Sequence, residues 1–119
     1  MTKEQFFDFM KYFYENNIEI SKRKNADYTG NDDNPFSNFE SVQLLGIKNE
    51  HGMLTRMLDK FKRIASFVNQ GSLQVQDESA IDSLADLANY CAIMAAYLRS
   101  KNPGATIEEW KSIDEDLPF

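Results

Sequence analysis

The stretch "KNADYTGNDDNPFSNFE", residues 24–40, gathers Lys24, Asp27, Asp32 and Asp33 with Asn31, Asn34 and Asn38 and with the rings Tyr28, Phe36 and Phe39. Gly, Asn, Asp and Pro supply turn geometry, but a plain connector has no need of three aromatic rings. Amides that read a polar edge, a cation for phosphate and rings for a base are the ingredients of a nucleotide site. Two other stretches add to the set. "RMLDKFKR" puts Arg56, Lys60 and Arg63 on one helix face, and guanidinium groups suit bidentate phosphate contacts. "ESAIDSLADLAN" puts Glu78, Asp82, Asp86 and Asn89 within about 80° of one another around a helix. Three carboxylates on adjacent turns repel unless solvated or neutralised. A Mg²⁺ ion shared with phosphate oxygens would answer that repulsion. Each group has a plainer reading as well. The acids could be a solvated face favoured by a helix N-terminus, and Arg63 could simply pair with Asp59 at i+4. The coincidence of cations, acids and a polar aromatic loop in one small chain favours a nucleotide pocket.

The periodicity predicts helices to carry these groups. From Thr2 to about Lys24, Phe6, Phe9, Met10, Phe13 and Ile20 share a stripe, with Glu15 and Glu19 on the opposite side. Asn17 and Lys24 interrupt that apolar stripe, and Asp27 would follow if the helix continued; they form a polar pocket at one end of a bundle, or lie solvated past the core. A short helix is expected from Ser37 to Leu45, closed by Gly46, and a third helix around Met53, Met57, Phe61, Ile64 and Val68, stopped by Gly71. A fourth runs from Asp77 to about Lys101, ahead of Asn102-Pro103-Gly104, and the tail around Trp110 could add a turn or two.

The expected fold is all-α: a small bundle of three long helices plus one or two short ones, a single domain over residues 1–119. "NYCAIMAAYL" is apolar nearly all round, as helices buried on every side are, which predicts a homo-oligomer, dimer or higher.

Composition limits the partners. A net charge of −6 argues against duplex nucleic acid, whose phosphates need a basic surface. The one cysteine, Cys91, permits no internal disulfide, and its apolar neighbours predict a buried thiol in a reducing compartment. Charges in "MTKEQFFDFMKYF" break up any signal-peptide core, and Leu87–Leu98 is too short to cross a bilayer, so no membrane association and a cytoplasmic location are expected. His51 stands alone and reads as structural; there is no glycine-rich phosphate loop, HExxH or CxxC.

In order along the chain stand Lys24-x-x-Asp27-Tyr28 with Asn34-x-Phe36-x-Asn38-Phe39, then Arg56-x-x-Asp59-Lys60-x-x-Arg63, then Asp82-x-x-x-Asp86-x-x-Asn89-Tyr90. This pattern, over residues 24 to about 98, resembles the nucleotide-modification-associated family found largely in bacteriophages and prophages. That family is similar to the all-α nucleoside triphosphate pyrophosphatases of the MazG and dimeric dUTPase type, which cleave nucleotides with Mg²⁺ held by carboxylates of neighbouring helices. The resemblance implies a ligand set of Lys24, Asp27, Tyr28, Asn34, Asn38, Arg56, Lys60 and Arg63, with metal ligands at Asp82 and Asp86 and a further one at Glu78. Asn17, Phe36, Phe39 and Asn89 join the ligand-binding candidates from the reading of the residues. The pyrophosphatases also carry a Glu-x-x-Glu pair on an earlier helix; here Glu15 and Glu19 are four apart and face away from the core stripe. Two functions are therefore expected as alternatives. One is a Mg²⁺-dependent pyrophosphatase. The other is a non-catalytic sponge for a nucleotide or cyclic-nucleotide signal, acting in the host cytoplasm against defence if the chain is phage-encoded.

Overall fold

A computed structural model describes residues 1–30, 32–70 and 77–101. The chain forms α1 (Lys3–Thr29), α2 (Ser37–Glu40), a 3-10 turn (Ser41–Leu45), α3 (Asn49–Gln70) and α4 (Asp77–Lys101), and no strand forms among the described residues. The fold is all-α, with three long helices and one short one.

Thr2 and Gln5 open α1 with a reciprocal capping box: the Gln5 N–H donates to Thr2 Oγ1 at 3.1 Å and the Thr2 N–H to Gln5 Oε1 at 2.9 Å. The helix runs five residues past the expected end at Lys24. Nothing in Asn25-Ala26-Asp27-Tyr28-Thr29 forbids helical backbone, and the stop comes at Gly30, whose φ of +59° other residues avoid. The segment expected from Ser37 to Leu45 divides into one α turn and a 3-10 turn, and Gly46 closes it with φ +70° in the left-handed region.

α3 and α4 make the principal helix pair; α1 packs on α4 and, near its end, on α2. The core is small. Among the described residues, Phe39, Met53 and Tyr97 are the buried apolar side chains, with Phe36, Tyr90, Ile93 and Met94 packed against them. The Phe36 ring meets Tyr97 edge-on at 5.4 Å and the Phe39 ring meets Tyr90 edge-on at 6.4 Å. Asn49 is buried with them and donates from Nδ2 to the Tyr97 hydroxyl at 2.9 Å, while Gln43 Nε2 donates to Asn49 Oδ1 at 3.2 Å. This network pins the start of α3 to the end of α4. Gly52 sits where an added Cβ would meet a Val42 methyl at 3.1 Å, so its missing side chain lets the 3-10 turn lie against α3.

Two sequence expectations are corrected. Phe6 and Phe9, placed on the core stripe of α1, are 46% and 44% exposed, because periodicity marks an apolar face without ensuring that another element covers all of it; Met10, Phe13 and Ile20 are half-buried. Cys91, expected to be buried, is exposed, because apolar neighbours along a helix do not ensure that another element covers that face. No helix among the described residues is long and apolar enough to cross a membrane.

Candidate functional site

The second half of α1, Gly30 with the loop residues 32–36, α2 and the middle of α4 line a cleft of about 1050 Å³, with Arg56 reaching in from α3. Its wall on the α4 side carries Asp86, Asn89, Tyr90 and Ile93; the opposite side carries Lys24, Asn25, Tyr28 and Thr29. The volume is at the upper end of the roughly 300–1,000 Å³ usual for small-molecule sites.

The loop holds its shape through its own polar groups. The Asn34 N–H donates to Asp32 Oδ1 at 2.9 Å and the Phe36 N–H donates to Asn34 Oδ1 at 3.0 Å, successive Asx-type turns. Asn34 Nδ2 donates to Glu40 Oε1, and Asn25 Nδ2 donates to the Pro35 carbonyl, each at 2.9 Å. Asn34 is thereby a loop tie and does not line the cleft. Phe36 and Phe39 line it as well, while their rings pack in the core. Tyr28, 65% exposed on the rim, keeps a free ring face.

The charges meet across three helices. Lys60 Nζ of α3 lies 3.1 Å from Asp86 Oδ2, and Lys24 Nζ of α1 lies 3.6 Å from Asp86 Oδ1. The Lys60 side chain is 17% exposed and that of Asp86 28%, so this is a partly desolvated pair with a second, wetter lysine attached. Beside it the Arg56 guanidinium lies 4.6 Å from the centre of the Phe39 ring, stacked by cation–π attraction. Two lysines thus meet one carboxylate, and Arg56, Asp32 and Asp33 also line the cleft, the two aspartates on its exposed loop edge.

The other residues singled out from the sequence lie elsewhere. Asp27 is exposed and outside the cleft lining. Arg63 is exposed and lies 3.5 Å from Asp59 at i+4, the plainer of its two readings. Asn17 is buried and donates from Nδ2 to the Ala85 carbonyl at 3.3 Å, bracing α1 on α4. Asn38 and Asn89 line the cleft. Asp82 is exposed on a smaller groove between α1 and α4, which Lys24, Asp86 and Asn89 also border. The side chain of Glu78 lies outside the described residues, as do Asn31, Gly71 and the tail around Trp110.

Among the described residues no three acidic, histidine or cysteine side chains gather as a metal-binding group. Asp86 has an ammonium at each oxygen, a poor arrangement for giving a lone pair to Mg²⁺. Thr29, Asn25 and Tyr90, all lining the cleft, were not among the residues expected to form it. Thr29 and Tyr90 adjoin the motif residues Tyr28 and Asn89, and that adjacency was the available signal.

Fold and site together define an all-α protein with an interhelical cleft lined by charges of both signs, amides and aromatic rings. No protein family, no curated protein and no solved structure matches this chain.

Proposed function

We propose that this protein binds a nucleotide or nucleotide-derived small molecule in the α1/α2/α4 cleft and holds it without turnover. The convergence of Lys24 and Lys60 on Asp86 carries this reading. Two lysines from different helices exceed the charge of the single carboxylate between them, and Arg56, stacked on Phe39, adds a cation to the cleft lining. A phosphoryl group entering the cleft meets an anion position already surrounded by donors, with Asp86 as its resident stand-in. Tyr28 offers a ring to a base, and the Asn38 and Asn89 amides offer donors and acceptors to its edge. With a net charge of −6 over the chain, the lysine pair at Asp86 suits one small anion and not a duplex.

The resemblance of the three motifs to nucleotide-handling phage proteins agrees with this reading. A Mg²⁺-dependent pyrophosphatase is the second reading, and one observation favours it. Asp82 and Asp86 border the same groove one turn apart, so a nucleotide arriving with its own Mg²⁺ would find carboxylate oxygens nearby. The occupied oxygens of Asp86 favour binding over hydrolysis.

Calorimetric titration with nucleoside triphosphates and cyclic dinucleotides, with and without Mg²⁺, separates the two when the ligand is recovered and chromatographed. Binding with intact ligand is the expected result. Release of monophosphate only with Mg²⁺ would overturn the sponge reading, and no heat with any compound would sink both.

A further inference from the structure

The smaller groove between α1 and the first half of α4 has a volume of about 470 Å³, within the roughly 300–1,000 Å³ usual for small-molecule sites. Phe9, Tyr12 and Asn16 of α1 line it, with Ile81 and Asp82 of α4. Lys24, Asp86 and Asn89 line both this groove and the larger cleft.

The two hollows lie end to end along α4. Asp82, Asp86, Asn89, Ile93 and Ala96 follow one another at intervals of four, three, four and three residues and so form one stripe. Asp82 lines the groove, Ile93 and Ala96 line the cleft, and Asp86 and Asn89 line both. The stripe runs about 21 Å at 1.5 Å per residue, longer than a single nucleotide fills. α1 lies across it, held where Asn17 Nδ2 donates to the Ala85 carbonyl at 3.3 Å and where Lys24 Nζ stands 3.6 Å from Asp86 Oδ1. The second of these contacts is slack: 3.6 Å is too long for a direct hydrogen bond, and the Lys24 side chain is 55% exposed. An anion arriving there takes over the Lys24 contact at little cost.

Charge decides what each hollow takes. Among the described residues Lys24 is the one cation lining the groove, and Asp82 and Asp86 line it too, so a phosphate belongs at the Lys24 end and not deeper. Beyond Lys24 the groove offers the ring of Tyr12, 65% exposed, and the amide of Asn16: a face for stacking, and a donor and acceptor for a polar edge. On the other side of Lys24 the cleft offers the same two features in Tyr28 and Asn38. Ring and amide thus recur on both sides of one cationic position.

We infer that the groove and the cleft are two compartments of one site, whose ligand carries two bases joined through an internal phosphate bridge. The bridge rests at the lysine pair around Asp86, one base stacks on Tyr28 and the other on Tyr12. This rests on the nucleotide reading of the cleft and narrows it from any nucleotide to a dinucleotide.

Calorimetric titration of the full chain without Mg²⁺ tests it with three sets of compounds: the mononucleotides ADP and GDP, the open dinucleotides diadenosine and diguanosine diphosphate, and the cyclic dinucleotides of the same bases. A second stacked base should tighten binding roughly tenfold over the mononucleotide in at least one two-base set. The set with the larger advantage identifies the bridge as open or closed. Tyr12→Ala should bring the two-base compound to within about twofold of the mononucleotide measured on the same variant. Phe7→Ala, at an exposed position outside both linings, should keep the advantage. Mononucleotides that bind as tightly as every two-base compound would overturn the second compartment and leave the nucleotide reading of the cleft standing. An advantage that survives Tyr12→Ala would do the same. No heat with any compound would sink the nucleotide reading, and this proposal with it.

Discussion

Asp86 is the residue on which the functional reading turns, because its two possible roles predict opposite effects of one substitution. If it is a placeholder between Lys24 and Lys60, Asp86→Asn removes a competitor for those cations and tightens triphosphate binding a few-fold at low salt. If it is a metal ligand, the same change weakens Mg²⁺-dependent binding and ends any hydrolysis. Titration of the variant with and without Mg²⁺ reads the sign directly, and tightening is expected. Lys60→Met should weaken binding by roughly 1.5 kcal/mol, about tenfold in Kd, while Lys24→Met, whose side chain is 55% exposed, should cost less. Equal losses from the two, measured in the same titration, would contradict the geometry.

At the scale of elements, the helix ends carry the more specific contacts. Tyr97→Phe removes the acceptor for Asn49 Nδ2 inside the core, and stranding that buried amide should lower stability by about 1–2 kcal/mol in urea unfolding. An unchanged midpoint would mean that the amide finds another partner. Glu50, near the start of α3, is held below its usual 4.5 first by its own backbone N–H and then by Lys101, whose Nζ lies 3.3 Å away at the end of α4. Hydrogen bonding to Tyr97 and to Glu50 raises Lys101 above its usual 10.5. The contribution of Glu50 is therefore present above its usual value and lost as pH falls through its lowered one. That of Lys101 is present below its usual value and lost as pH rises through its raised one. Lys101 is exposed and Glu50 half-buried, so solvent screens the pair and the effect is small. Thermal melts between about pH 3 and 7 should show a shallower acid-side loss in Glu50→Gln than in the unmodified chain.

For the molecule as a whole, the homo-oligomer expected from the apolar "NYCAIMAAYL" stretch would link folding to association. The melting temperature should then rise with protein concentration, since mass action favours the associated folded state. A melting temperature independent of concentration would argue for a chain that folds alone. Added nucleotide should raise the melting temperature further, since a ligand held in the cleft binds only the folded chain.

Much of this molecule was legible in the residues themselves. Apolar spacing, Gly46 and Asp77 are local signals, and local backbone chemistry determined four helical segments in order and an all-α fold. The same periodicity marked which polar residues share a face, and Lys24, Arg56, Lys60, Asp86 and Asn89 were singled out that way. What periodicity leaves open is which faces meet. Only packing across distant parts of the chain decided that Lys24 and Lys60 close on Asp86, that Asn17 braces α1 on Ala85, that Phe36 and Phe39 serve the core while Tyr28 stays free, and that Cys91 is exposed. The physical reason is range. Helix formation depends on residues three and four apart, whereas a site assembled from α1, α3 and α4 depends on contacts between residues dozens of positions apart, which no local pattern encodes.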